Sequence, residues 1–302
     1  MKKKSTQKIG IYIVVICGIL WGLSGVLGQL LFQNTTVKVS WLSAIRMMFS
    51  GIVILIFLIF KDRKQLFALW KNPKFIIPFF LFAILGVMCV QYTYFAAVNA
   101  SNAATATVLQ YTYPVLILLY TSFGQRKNPQ LYEIISILFA FTGIILIATH
   151  GHFSTLQISP MALFWGLISA FSFVFFTVYP KNLYEKFGVI SIMGWAFFIG
   201  GLTLFIISGN FKTPIPTDTY SLKLTLLISI LGTLIPFVIY NQGVRILGNV
   251  KASVLVTIEP ITSAILAFIL TDITFTIIDI IGFICILSAV ELIALKSLKN
   301  NK

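Results

Sequence analysis

The chain has 302 residues, 58% of them apolar and only 10% charged, with a formal net charge of +14. Soluble domains average about 45–50% apolar and about 25% charged residues, so an ordinary soluble domain is excluded and a polytopic membrane protein is expected. In that setting the positive charge marks cytoplasmic loops rather than nucleic-acid binding. A membrane-spanning helix needs roughly 20 mostly apolar residues. Ten stretches meet that need, at about 9–32, 39–60, 75–98, 102–123, 131–149, 159–180, 188–208, 221–244, 251–271 and 275–295. The first follows Met1-Lys2-Lys3-Lys4 and mimics a signal peptide. Its apolar run reaches about Phe32 without a small-residue cleavage pattern, so a first spanning helix is expected.

Residues 61–71 are amphipathic and read either as a short interfacial helix on the cytoplasmic leaflet or as a solvated basic loop. His150 and His152 have the spacing of a metal pair, but two ligands make a weak site and a polar turn is the plainer reading. Cys17, Cys89 and Cys285 lie in apolar runs, odd in number and without metal-type spacing. Neither a disulfide framework nor zinc is indicated, and no cofactor is expected. No P-loop occurs, so ATP is not expected as the direct energy source.

With the N-terminus in the cytoplasm, inside segments hold 18 of the 22 Lys and Arg, and outside loops hold Lys38, Lys212 and Lys223. Arg46 is the one left within a span. This asymmetry predicts an all-α, multi-pass protein of the cell (plasma) membrane, with ten transmembrane helices and both termini cytoplasmic. The oligomeric state is left open.

The chain also matches itself at an offset of 146 residues. Gly86 falls on Gly232, Tyr94 on Tyr240, Ala106 on Ala252 and Pro114 on Pro260, with Leu, Ile and Val matches between them. Two five-helix repeats are therefore expected, at residues 1–150 and 155–302. Five is odd, so the second copy enters the membrane from the opposite side. Inverted repeats of this kind are frequent in secondary transporters, with the substrate site near the midplane between the copies.

The residues resemble the drug/metabolite transporter superfamily, EamA type. Leu20-Trp21-Gly22 and Ala44-Ile45-Arg46 are similar to its first two helices. Leu85-Gly86-Val87, Tyr94-Phe95-Ala96-Ala97, Ala103-Ala104-Thr105-Ala106 and Tyr113-Pro114 are similar to its third and fourth. Gly232-Thr233, Tyr240-Asn241-Gln242-Gly243, Ala252-Ser253 and Glu259-Pro260 are similar to its eighth and ninth. The family commonly closes its fourth and ninth helices with an acid, where this chain reads Gly124-Gln125-Arg126 and Thr271-Asp272. The resemblance implies a ten-helix metabolite carrier, often an exporter of amino acids or related compounds.

Glu259 is the sharpest candidate site residue, a carboxyl group inside an apolar run. Intramembrane acids mark substrate or proton paths, so a small-molecule substrate and proton coupling are both expected partners. Its rival role is a structural hydrogen bond between helices. Tyr113 is its repeat mate, and phenol and carboxylate together could bracket an ammonium group. Gln110 with Tyr113, and Gln91 with Tyr94, share helix faces at a spacing of three. Phe237 and Tyr240 are the counterparts of Gln91 and Tyr94 on the eighth helix, beside Asn241 and Gln242. Tyrosines near helix ends also sit in the interfacial belt, which is the competing reading for these. Arg46 lies within one or two helical turns of Glu259 in depth and reads as its partner, as a holder of a substrate carboxylate, or as a snorkelling side chain. Trp21 shares a face of the first helix with Ser24, while Gly18, Gly22, Gly25 and Gly28 suit close helix packing. A transporter is the reading the residues support best. A channel, scaffold or receptor component is the alternative. An intramembrane enzyme is not expected, because the in-span acids are scattered and both histidines share one loop.

Overall fold

The computed structural model describes residues 2–125, 130–152, 157–212 and 215–300. Arg126, Lys127, Lys302 and the expected repeat boundary near residue 155 lie outside the described residues. Every element among the described residues is helical. The first half holds α1 (Lys2–Asn34), α2 (Val39–Lys61), α3 (Arg63–Ala68), α4 (Pro73–Ala100), α5 (Ala103–Gln110), α6 (Tyr113–Gln125) and α7 (Leu131–Thr149). The second holds α8 (Pro160–Val178), α9 (Lys181–Phe187), α10 (Val189–Ile207), α11 (Thr219–Leu247), α12 (Asn249–Leu255), α13 (Ile258–Leu270) and α14 (Ile277–Asn300). Helix occupies each of the ten stretches read from hydropathy. Among the described residues, eight helical stretches are long and apolar enough to cross a membrane, the α5–α6 pair forming one of them, and α13 is shorter. Their outer faces present Ile52, Phe57, Phe139, Phe164, Phe268 and Ile269, which suits a hydrocarbon solvent.

Packing is reciprocal between the halves. α1 lies against α11 and α13, and α8 lies against α4 and α5. α2 packs on α10, and α7 on α14. One apolar core gathers Leu42, Phe95, Val98 and Ile228, and a second gathers Met47, Phe79, Phe82 and Met193. Both α4 and α11 contain a π-helical segment, Phe82–Met88 and Ile230–Leu234, and under the 146-residue offset these overlap and end at the same position. Such widened turns leave the helix locally adaptable.

Proline explains the two broken helices. Pro114 and Pro260 lack an N–H, so the carbonyls of Gln110 and Val256 four residues earlier lose their helical donor. The chain breaks there, at Tyr111-Thr112 between α5 and α6, and at Val256-Thr257 between α12 and α13. The corner before α5 is capped by Asn102, whose side chain accepts from the Thr105 N–H at 2.8 Å. Its repeat counterpart before α12 is Gly248, at φ 82°, where a side chain would be strained.

Of the two readings of residues 61–71, the structure has the short helix, α3, rather than an open loop. Asp62 caps α3 by accepting from the Gln65 N–H at 2.9 Å, and Leu66 and Leu69 are buried. Trp195 of α10 donates to the Leu66 carbonyl at 2.9 Å, so this segment docks on protein. His150, left-handed at φ 46° beyond α7, contacts Asp279 of α14, so the expected polar turn is a corner tied to that helix.

Asp218 caps α11. The Ser221 N–H donates to it at 2.7 Å and, with the Ser221 hydroxyl, holds its carboxyl below the usual carboxylate range. A group lowered on folding stabilises above its unfolded value, and that stability is lost as pH falls through the lower folded one. Asp218→Asn is therefore expected to melt with a shallower loss of stability than wild type as pH drops from about 5 to about 3. Detergent-solubilised protein followed by scanning fluorimetry checks this, and identical acid arms would contradict it.

Candidate functional site

Glu259 sits in the first turn of α13, buried immediately after the break. The Tyr111 hydroxyl, across from it in the other broken helix, lies 2.9 Å from Glu259 Oε2 and 3.0 Å from the Val256 carbonyl. That carbonyl is the one Pro260 leaves without its helical donor. The Glu259 N–H also reaches it, at 2.9 Å. The proline thus creates an acceptor, and Tyr111 joins that acceptor to the carboxylate. No cation pairs with Glu259 among the described residues.

Tyr113, the expected mate of Glu259, makes its ring contacts with aromatic neighbours. Its ring lies 4.3 Å from that of Phe173 on α8 and 6.0 Å from that of Tyr111. Gln110 turns the same way and donates to Ser169 on α8 at 2.7 Å. Trp21 and Tyr240 meet at a ring separation of 5.3 Å, between α1 and α11. Asn241 spends its amide on its own helix, donating to the Phe237 carbonyl at 2.7 Å.

Arg46 does not pair with Glu259, and it does not snorkel. It is 4% exposed. Its Nε donates to Thr233 Oγ1 at 2.9 Å and its Nη2 donates to Gln91 Oε1 at 3.0 Å. The guanidinium carbon stands 4.6 Å from the centre of the Phe95 ring. One turn from Gln91, the Tyr94 hydroxyl bonds Thr107 Oγ1 at 2.9 Å, and Thr107 reaches Ser263 Oγ at 3.5 Å. Ser263 is one turn beyond Glu259. A polar chain therefore links the Arg46 region to α13 without direct contact between the two charges.

Glycines of α1 bring these parts together. A Cβ on Gly22 would stand 2.8 Å from the Glu259 carbonyl oxygen and 3.0 Å from the Ser263 nitrogen. A Cβ on Gly25 would collide with the Tyr94 hydroxyl. Close helix contact was legible from the glycine spacing; Tyr111, Thr233, Thr107 and Ser263 were not singled out. The one signal for Tyr111 is its place three residues before Pro114. A cavity of about 470 Å³ lies at the end of α1, lined by Asn34, Thr35, Asp218 and Tyr220. An apolar recess of about 370 Å³ is lined by Ile77, Phe80, Leu81, Ile84 and Leu85. Neither contains an expected site residue.

The model of the EamA-like transporter family matches this chain over residues 8–149 and again over 160–295. The chain belongs to the EamA-like transporter family. The relative named "Uncharacterized inner membrane transporter YicL", from Salmonella typhimurium, is 35% identical over 293 residues, spanning 97% of each chain. "Uncharacterized transporter YetK" of Bacillus subtilis is 24% identical over 307 residues, covering 96% of this chain and 88% of its own. A solved crystal structure superposes with a TM-score of 0.64 at 14% identity over 99% of both chains, a likeness of fold alone. As an EamA-like protein the chain is a multi-pass membrane transporter for a small molecule. The family and the relatives' names point to transport rather than catalysis.

Proposed function

We propose that this EamA-like protein is a secondary carrier that exports a small organic metabolite, an amino acid, amine or related compound, across the cell membrane by alternating access. The two halves, residues 1–150 and 155–302, act as inverted five-helix repeats with both termini in the cytoplasm. The reciprocal packing of α1 on α11 and α13, and of α8 on α4 and α5, supports that relation. The observation that carries the reading is Glu259, buried at a helix break, bonded by one phenol and, among the described residues, paired with no cation. A carboxylate so placed is available to a substrate ammonium group or to a proton. Tyr111, Tyr113, Tyr240 and Trp21 supply ring faces suited to the same cation. Gln110, Gln91, Tyr94 and Arg46 hold the helices that frame it, and Asn241 stands next to Tyr240 on α11.

Purified protein in liposomes tests this with a panel of labelled amino acids, amines and nucleobases, each with and without an imposed pH gradient. Saturable flux of an amino acid or amine, accelerated by counter-substrate and altered by the gradient, is the expected result. Unitary currents in planar bilayers, or no flux of any panel member, would overturn it.

A further inference from the structure

Helix α9 and the start of α4 meet in a corner built from aromatic rings and lysines. The Phe75 ring lies 5.2 Å from the Phe187 ring, and Lys186 Nζ stands 4.2 Å from the centre of the Phe75 ring. Lys74 directly precedes Phe75, and Lys71 lies one helical turn earlier in the chain. All three lysines are exposed. The acids close to them in sequence are Asp62, spent on the cap of α3, and Glu185. Among the described residues neither acid pairs with any of the three lysines. The corner therefore carries positive charge that these acids leave unbalanced.

The apolar recess of about 370 Å³ begins one turn along α4 from Lys74. Ile77, Leu81 and Leu85 of its lining follow Lys74 at spacings of three and four, so the charge and the recess share one helix face. Ile84 and Leu85 belong to the widened π-helical turn. From Ile77 to Leu85 the recess runs about 12 Å at 1.5 Å per residue, a length that suits an extended hydrocarbon chain. Trp70 stands at the charged end, with its ring 6.4 Å from that of Phe80 in the lining and 5.1 Å from that of Trp195. Tryptophan favours the boundary between headgroups and hydrocarbon, which places the lysines at headgroup level and the recess among acyl chains.

We propose that this corner and recess form a binding site for an anionic phospholipid, its phosphate held by Lys74 and Lys186 and one acyl chain lying along Ile77, Leu81 and Leu85. The recess alone would accept any hydrocarbon; the unbalanced lysines select the anionic headgroup. Lysine binds phosphate as a point charge, and basic pockets between spanning helices take anionic headgroups. The topology proposed above puts this end in the cytoplasmic leaflet, while the site itself needs only a bilayer there. Lys74 belongs to the first half of the chain and Lys186 to the second, so the bound lipid ties the two halves together at this end.

Quenching of tryptophan fluorescence tests this on the full chain in detergent, with phosphatidylglycerol and phosphatidylcholine brominated on their acyl chains as probes. Trp70 lies beside Phe80, so bromine in the recess reports on occupancy. Wild type is expected to be quenched by about tenfold less phosphatidylglycerol than phosphatidylcholine. Lys74→Gln with Lys186→Gln should bring the two lipids within about twofold. Lys8→Gln with Lys251→Gln removes the same charge from other inside segments and should keep the preference. Leu81→Phe fills the recess from an exposed position and should raise the phosphatidylglycerol needed about threefold or more. Equal quenching by the two lipids in wild type overturns the proposal, and that comparison needs no variant. A preference that both lysine pairs reduce alike overturns it too, in favour of a solvated basic face. So does a preference that survives Lys74→Gln with Lys186→Gln, or a Leu81→Phe protein quenched like wild type.

Discussion

Glu259→Gln is expected to slow transport about a hundredfold or more and to flatten its dependence on pH. The amide keeps the carboxylate's size and can still accept from Tyr111, so the contact that closes the α12–α13 break survives. The charge does not. Removing one partner of a buried charge pair costs about 2–5 kcal/mol, which at about 3 kcal/mol is more than a hundredfold in affinity or rate. Tyr111→Phe should act more gently, because it removes a hydrogen bond and keeps the ring. A loss of about fivefold to tenfold is expected, in line with about 1 kcal/mol for one bond. Initial rates in proteoliposomes between about pH 5.5 and about pH 8, across the range where coupled groups titrate, check both variants. Wild-type rates and an unchanged pH profile in Glu259→Gln would leave this carboxyl with a structural task only.

The second large effect is expected at Gly22. Any Cβ there stands 2.8 Å from the Glu259 carbonyl oxygen and 3.0 Å from the Ser263 nitrogen. These are backbone atoms of the turn that carries the candidate site, so no rotamer change relieves the clash. Overpacking against side chains costs about 1–3 kcal/mol, and a backbone contact belongs at the upper end or beyond. Gly22→Val should therefore lower the melting temperature in detergent by several degrees and depress the folded yield. Phe268→Leu, at an exposed outer position, should leave both unchanged. A Gly22→Val protein that melts with wild type would mean that α1 does not press on α13 as described.

The helical stretches were legible because a bilayer demands long apolar runs, and those runs are local. The two breaks were half legible. Each proline announces a lost N–H, but sequence cannot say what satisfies the orphaned carbonyl. For Val256 it is the nearby Glu259 N–H together with Tyr111, a residue 145 positions earlier that only the folded chain brings there. The internal repeat pointed to Tyr113 instead, since it aligns with Glu259. The break at Tyr111-Thr112 turns Tyr113 towards Phe173 and leaves Tyr111 facing the acid. Arg46 followed the same pattern. Its place in a span could be counted, while Gln91 and Thr233 come from α4 and α11 and were chosen by packing. Residues 61–71 were half legible for a related reason: their amphipathic pattern announced a short helix, while its dock on Trp195 of α10 was chosen by packing.

The bare face of α1 has a mechanical consequence. Helices that interdigitate side chains resist sliding, because each knob must climb out of its hole before the next register is reached. Gly18, Gly22 and Gly25 offer no knobs to the α12–α13 turn or to Tyr94. The neighbours fill the hollows instead, Ile258 at Gly18, the backbone of the turn at Gly22 and the Tyr94 hydroxyl at Gly25, so any shift of α1 along its axis must first unseat them. Ser24 against Gly232 and Phe95 against Gly28 add two further contacts that fix the register of α1.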